Sequence, residues 1–253
     1  MIENLLTRKF DFIGIGTQKA GSTALWKYIL KHPDVEDVDA EANTDSLTYA
    51  KEPNLFNMQK ILPQSEALLD KFNSTPDSKL LGEFTVHYID NQYNCLERIY
   101  RHNPDVKVIC ILRDPSSRTY SAYNWVYNPL NKPEWTEPLS KFLDKSTIHT
   151  HNFINKSIIG SKVKRVLEVF PPTQVKFIKY ETFINNQKQT VEEVLAFLGL
   201  DLEKYTYQFA EMNKRSYIEK IKPEHRQQLV EFFMDDIIQI EETLGWDCSD
   251  WKK

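Results

Sequence analysis

Seven glycines and three cysteines are few for 253 residues, and neither sign of charge dominates: 32 Lys and Arg stand against 36 Asp and Glu, a formal net charge of −4. So little glycine excludes collagen-like and glycine-rich linker sequences. The charge balance lacks the basic footprint of a nucleic-acid-binding domain. No run approaches the roughly 18 consecutive apolar residues of a membrane helix, and the first residues lack the basic-then-apolar layout of a secretory signal. Cys95, Cys110 and Cys248 form an odd, scattered set, unlike the even framework of a disulfide-stapled secreted domain. These features predict a cytoplasmic protein with no membrane span and no nucleic-acid partner. They leave the oligomeric state open. With 41% hydrophobic and 12% aromatic residues, the chain can bury one sizeable core, and a single domain over residues 1–253 is expected.

What glycine there is gathers early. Three of the seven fall between positions 14 and 21, in Phe12-Ile13-Gly14-Ile15-Gly16-Thr17-Gln18-Lys19-Ala20-Gly21-Ser22-Thr23-Ala24-Leu25. An apolar strand runs directly into a small-residue turn and then a helix, which lets backbone N–H groups meet an anion at the helix's positive end. Two nucleotide-binding patterns fail here. Gly16 and Gly21 have Walker A spacing, but Ser22-Thr23 follows and the lysine sits inside the loop as Lys19; the dinucleotide pattern would need its third glycine at Lys19.

A second anion motif lies nearly a hundred residues on. Val106 to Leu112 reads as a buried parallel strand, and Arg113-Asp114-Pro115-Ser116-Ser117-Arg118-Thr119-Tyr120-Ser121-Ala122-Tyr123 follows it. Arg113 stands at the strand's carboxyl end, Pro115 suits a first helical turn, and Ser121 falls about two turns into that helix. A guanidinium fork and a hydroxyl are both matched to phosphate oxygens.

Together these motifs resemble those of the sulfotransferases that use 3′-phosphoadenosine 5′-phosphosulfate (PAPS). Lys19-Ala20-Gly21-Ser22-Thr23-Ala24-Leu25 is similar to the family's 5′-phosphosulfate loop, K-x-G-[ST]-[ST]-x-L, and the Arg113 segment to its 3′-phosphate motif, R-D-P-x-x-R-x-x-S-x-Y. The resemblance implies that Lys19, Ala20, Gly21, Ser22, Thr23, Arg113 and Ser121 bind PAPS. Ala50-Lys51-Glu52-Pro53-Asn54-Leu55-Phe56 resembles the K-E-x-x-x-F segment of the carbohydrate-directed branch, which makes Glu52 the candidate base and Lys19 the group that stabilises the leaving phosphate. His87 is the runner-up base. Asn213-Lys214-Arg215-Ser216-Tyr217 is the one stretch similar to the family's late basic loop, so Lys214 and Arg215 join the cofactor candidates. Related glycosaminoglycan enzymes carry E-K-T-P-x-Y where this chain has Glu83-Phe84-Thr85-Val86-His87-Tyr88; losing that lysine argues against a highly anionic polysaccharide acceptor. The acceptor implied is a carbohydrate or small metabolite, and no metal is called for. A P-loop kinase using ATP and a non-catalytic nucleotide-binding module remain as alternatives.

The element pattern predicts an α/β fold, a central parallel sheet flanked by helices and similar to P-loop NTPases. Strands are expected at Lys9–Ile15, Lys79–Phe84, Val106–Leu112 and Val175–Lys179. Helices are expected at Ser22 to about Lys31, Gln64–Phe72, Asn91–Arg101, Val163–Phe170, Thr190–Leu198 and Pro223 to about Leu244. Trp125 to Pro138, rich in aromatics and prolines, is expected to be irregular. In such sheets ligands bind beyond the strands' carboxyl ends, where both anion motifs fall.

Overall fold

Four apolar stretches become the strands of one parallel sheet in a computed structural model that describes residues 5–36, 52–57, 63–127, 137–208 and 220–253. They are β1 (Phe12–Gly16), β2 (Gly82–Phe84), β3 (Lys107–Leu112) and β4 (Val175–Lys179), in the order β2-β1-β3-β4. Phe12 pairs with Gly82 on one side and Lys107 on the other, and Val108 pairs with Val175. Strands β1 and β2 are buried throughout, β3 in all but its first residue, as continuous apolar runs in parallel sheets should be; β4, at the edge, is mostly half-buried. Because β1 lies between β2 and β3, the strand order reverses at its carboxyl end, the usual ligand crevice of such sheets.

The longer helices are α1 (Ser22–Ile29), α2 (Pro63–Asn73), α3 (Cys95–His102), α4 (Pro115–Tyr127), α5 (Gly160–Val169), α6 (Gln187–Leu198) and α7 (Pro223–Leu244). The chain divides into two compact units, residues 1–112 with 166–212 and residues 113–165 with 213–253. In the first, Leu25, Trp26 and Ile29 of α1 share a core with Phe12, Phe84, Ile109, Ile111 and Ile178 of the sheet and Val191, Val194, Leu195 and Leu198 of α6. A second cluster joins Phe10, Phe56, Phe72 and His102, with the Phe10 and Phe72 rings edge to face at 5.0 Å. In the second unit α4 packs on α7, which Pro223 opens and Gly245, in the left-handed conformation, ends.

The predicted elements recur with shifted ends. Helix α1 stops at Ile29, two residues early, and β2 shrinks to three residues, Leu80 making only an isolated bridge to Val35. A short 3₁₀ turn, Gln92–Asn94, occupies the start of the region expected to be one helix, and another, Tyr88–Asp90, precedes it. Helix α4 continues through Trp125 to Tyr127, because the stacked rings of Tyr120, Tyr123 and Tyr127 and the face of Phe142 give it a surface to pack on. Residues 128–136 of that stretch lie outside the described residues. Among the described residues no helix is long and apolar enough to cross a membrane.

Candidate active site

The lysine turn begins where β1 delivers the chain to the carboxyl edge of the sheet. Thr17 fastens it: its N–H and its Oγ1 both donate to the Ile111 carbonyl of β3, at 2.6 and 3.0 Å. Lys19 (φ 69°) and Gly21 (φ 81°) both take left-handed backbone, which turns the chain sharply into α1. The Gly21 carbonyl accepts from the N–H groups of Ala24 and Leu25, making it the helix's N-terminal cap. Glycine is required there twice over, since a Cβ would lie 3.1 Å from the Tyr180 ring on a backbone L side chains rarely adopt. Having no side chain, Gly21 brings no capping group of its own to this first turn, whose backbone N–H donors lie next to a lysine and at the positive end of the helix. That donor set suits a phosphate or sulfate oxygen, so the residues present fit the 5′ end of PAPS. Ala20 is fully buried and Ser22 nearly so, which makes them parts of the turn's packing as well.

Glu52, half-buried, rides on the segment 52–57 in the same unit. Pro53, Leu55 and Phe56 are buried, and the Asn54 side-chain amide donates to the Glu52 carbonyl at 2.6 Å. Beside the segment, in the middle of β2, stands a carboxyl with no solvent exposure, Glu83. Thr85 Oγ1 donates to Glu83 Oε2 at 2.8 Å and accepts from the Asn54 N–H at 3.2 Å. The Tyr88 hydroxyl interacts with both Glu83 and Thr85 and accepts from the Phe56 N–H at 3.1 Å. Burial drives the Glu83 carboxyl up to about 8, the hydroxyls of Tyr88 and Thr85 oppose the rise, and the neighbouring Glu52 charge adds to it. His87 keeps 30% of its side chain exposed, with Nδ1 3.8 Å from Asp90 Oδ2.

Arg113 and Ser121 belong to the second unit, Arg113 ahead of α4 and Ser121 about two turns along it, both half-buried. Asp114 caps α4, accepting from the Ser116 and Ser117 N–H groups at 3.0 and 3.2 Å. Arg118 is no solvated charge: it is 2% exposed and donates to the Phe153 carbonyl at 2.7 Å and to Ser157 Oγ at 3.1 Å. Lys214 and Arg215 lie outside the described residues.

The sequence reading missed the buried trio of Glu83, Thr85 and Tyr88, and Arg226, which donates to Asp114 Oδ2 at 2.6 Å. The signal for the first three was there, a charged residue inside an apolar strand with hydroxyls two and five positions on. Phe84 is fully buried against Gly14, where an added Cβ would lie 2.2 Å from the ring.

A family model described as the sulfotransferase domain matches residues 9–243, through both units. Human heparan sulfate glucosamine 3-O-sulfotransferase 3B1 is 27% identical over 200 residues, covering 74% of this chain and 45% of that protein. The mouse bifunctional heparan sulfate N-deacetylase/N-sulfotransferase 4 is 26% identical over 205 residues, covering 75% of this chain and 22% of that protein. The chain therefore spans less than half the length of these curated relatives. A crystal structure of a sulfotransferase from Alicyclobacillus acidocaldarius has the same fold, with a TM-score of 0.72 and 24% identity over 98% of this chain and 100% of that one.

Proposed function

The chain belongs to the sulfotransferase domain family, and from that premise we propose that it moves the sulfuryl group of PAPS to a hydroxyl or amine of a carbohydrate or small-metabolite acceptor. The observation that carries the reading is the Lys19 turn, left-handed at residues 19 and 21, at the carboxyl end of β1 where the strand order reverses. Both units are read as one catalytic domain, since the family match runs through them.

PAPS supplies an activated sulfuryl group whose bond to the 5′-phosphate breaks as the acceptor oxygen or nitrogen bonds to sulfur. Lys19 and the first-turn N–H groups of α1 meet the negative charge that grows on the departing phosphate. Glu52 takes the acceptor's proton. Arg113 and Ser121 grip the 3′-phosphate, with Lys214 and Arg215 as further contacts. A lysine inside the loop, rather than after its last glycine, supports PAPS over ATP. Buried Phe84 where related enzymes carry a lysine supports an acceptor less anionic than a sulfated polysaccharide. Three buried cysteines, none of them in a disulfide among the described residues, support a cytoplasmic setting.

Labelled PAPS with glucosamine, a heparan sulfate oligosaccharide and p-nitrophenol as acceptors tests the reading. Glu52→Gln should keep affinity for adenosine 3′,5′-bisphosphate and lose turnover by about 100-fold or more, whereas Arg113→Ala should weaken nucleotide binding. Near-normal turnover in Glu52→Gln with a dead His87→Gln would move the base to His87. Calorimetry should favour the bisphosphate over ADP; equal affinity would remove the dedicated 3′-phosphate grip.

A further inference from the structure

Two backbone N–H groups of the Glu52 segment, those of Asn54 and Phe56, end on hydroxyls rather than on other backbone. Those hydroxyls, of Thr85 and Tyr88, both interact with one carboxyl, Glu83, and all three side chains are fully buried. We propose that Glu83 is a positioning residue for Glu52: its carboxyl sets the direction of both hydroxyls, and they hold residues 54 and 56, fixing the segment that carries the base. The inference rests on the reading of Glu52 as that base.

A hydroxyl has one proton and two lone pairs. Once the Thr85 proton is committed to Glu83 Oε2, only lone pairs remain to face the Asn54 N–H, and the same logic turns the Tyr88 oxygen toward the Phe56 N–H. Chains ordered in this way strengthen one another in a dry interior. Strand β2 is a firm base for them, since the Thr85 N–H donates to the Gly14 carbonyl at 2.9 Å. Packing alone would be better served by an apolar side chain at position 83. The carboxyl is desolvated, its Oε1 has no hydrogen-bond partner among the described residues, and its ionisation is pushed to about pH 8. A group so unfavourable to stability, placed beside the candidate base, is accounted for by what it holds.

Amide hydrogen exchange on the unliganded protein tests the anchoring without any acceptor. Thr85→Val should speed exchange at Asn54, and Tyr88→Phe at Phe56, by about tenfold relative to β1 amides, the worth of one ordinary hydrogen bond; Thr85→Ser should restore protection. In the PAPS assay, with the best acceptor of the three, both variants should lower kcat by about tenfold while the dissociation constant for adenosine 3′,5′-bisphosphate holds. In a Glu52→Gln background Thr85→Val should cost nothing further, because the group being positioned is gone. Unchanged exchange overturns the proposal. So does a kcat loss that persists without Glu52, or one matched by a loss of nucleotide affinity. Normal turnover in Glu52→Gln alone would instead remove the base assignment, leaving the exchange result to stand on its own.

Discussion

Arg226 Nη1 lies 2.6 Å from Asp114 Oδ2, and the same guanidinium donates to the carbonyls of Trp251 and Lys253 at 2.9 and 2.7 Å. One arginine on α7 thus ties down both the cap of α4 and the C-terminal residues. The Asp114 side chain is 6% exposed and that of Arg226 17%, so removing either partner strands a charge that water scarcely reaches. Arg226→Ala is expected to destabilise the protein by about 3 kcal/mol, read from urea denaturation, and Asp114→Ala by at least as much because it also removes the helix cap. A loss below about 1 kcal/mol in both would mean that the pair behaves as an ordinary surface contact.

Stability should also carry the imprint of Glu83. Its folded-state value, about 8, stands above the ordinary 4.5, so between those limits the native state binds more protons than the unfolded chain. Its contribution therefore becomes more unfavourable as pH rises through that window. Glu83→Gln removes the titration. The variant should match the parent near pH 4.5 and gain on the order of 3 kcal/mol by pH 7, seen as a Tm difference that widens with pH. A constant difference across the range would contradict this.

Gly21→Ala combines two penalties, left-handed backbone and contact with the Tyr180 ring. About 1 kcal/mol is expected from the backbone alone, with a larger effect on the turn's geometry. Calorimetry with adenosine 3′,5′-bisphosphate should show at least about tenfold weaker binding while Tm falls by only a few degrees. Unchanged affinity would mean that the turn tolerates a side chain.

All three thiols are buried, and burial pushes Cys95 up to about 12 and Cys110 higher still. Thiolate is the reactive form. A thiol reagent at pH 8 should therefore label the native protein slowly and all three cysteines at once in denaturant; rapid labelling of the native state at Cys95 would show that its surroundings open.

Much of this was legible in the residues themselves. Continuous apolar runs gave away β1 and β3, Pro223 marked the start of α7, and the glycines around Lys19 marked the turn, because each signal is local. What escaped depends on partners distant in the chain. Asn54 meets Thr85 31 residues away, and Arg226 meets Asp114 112 residues away. Arg118 reads as a surface charge until Phe153 and Ser157 surround its guanidinium. A charge inside an apolar strand hints that Glu83 is sealed from solvent, but the Asn54 and Phe56 amides that its hydroxyl partners hold come into view only in the fold.

The ring of Phe84 over Gly14 ties the packing of β2 to the missing side chain of β1. Replacing it with lysine would take away a phenyl group and open a hole above a residue with no side chain to fill it. Phe84→Lys alone would thus unsettle the β1–β2 junction, and a compensating side chain at position 14 would have to be introduced alongside it.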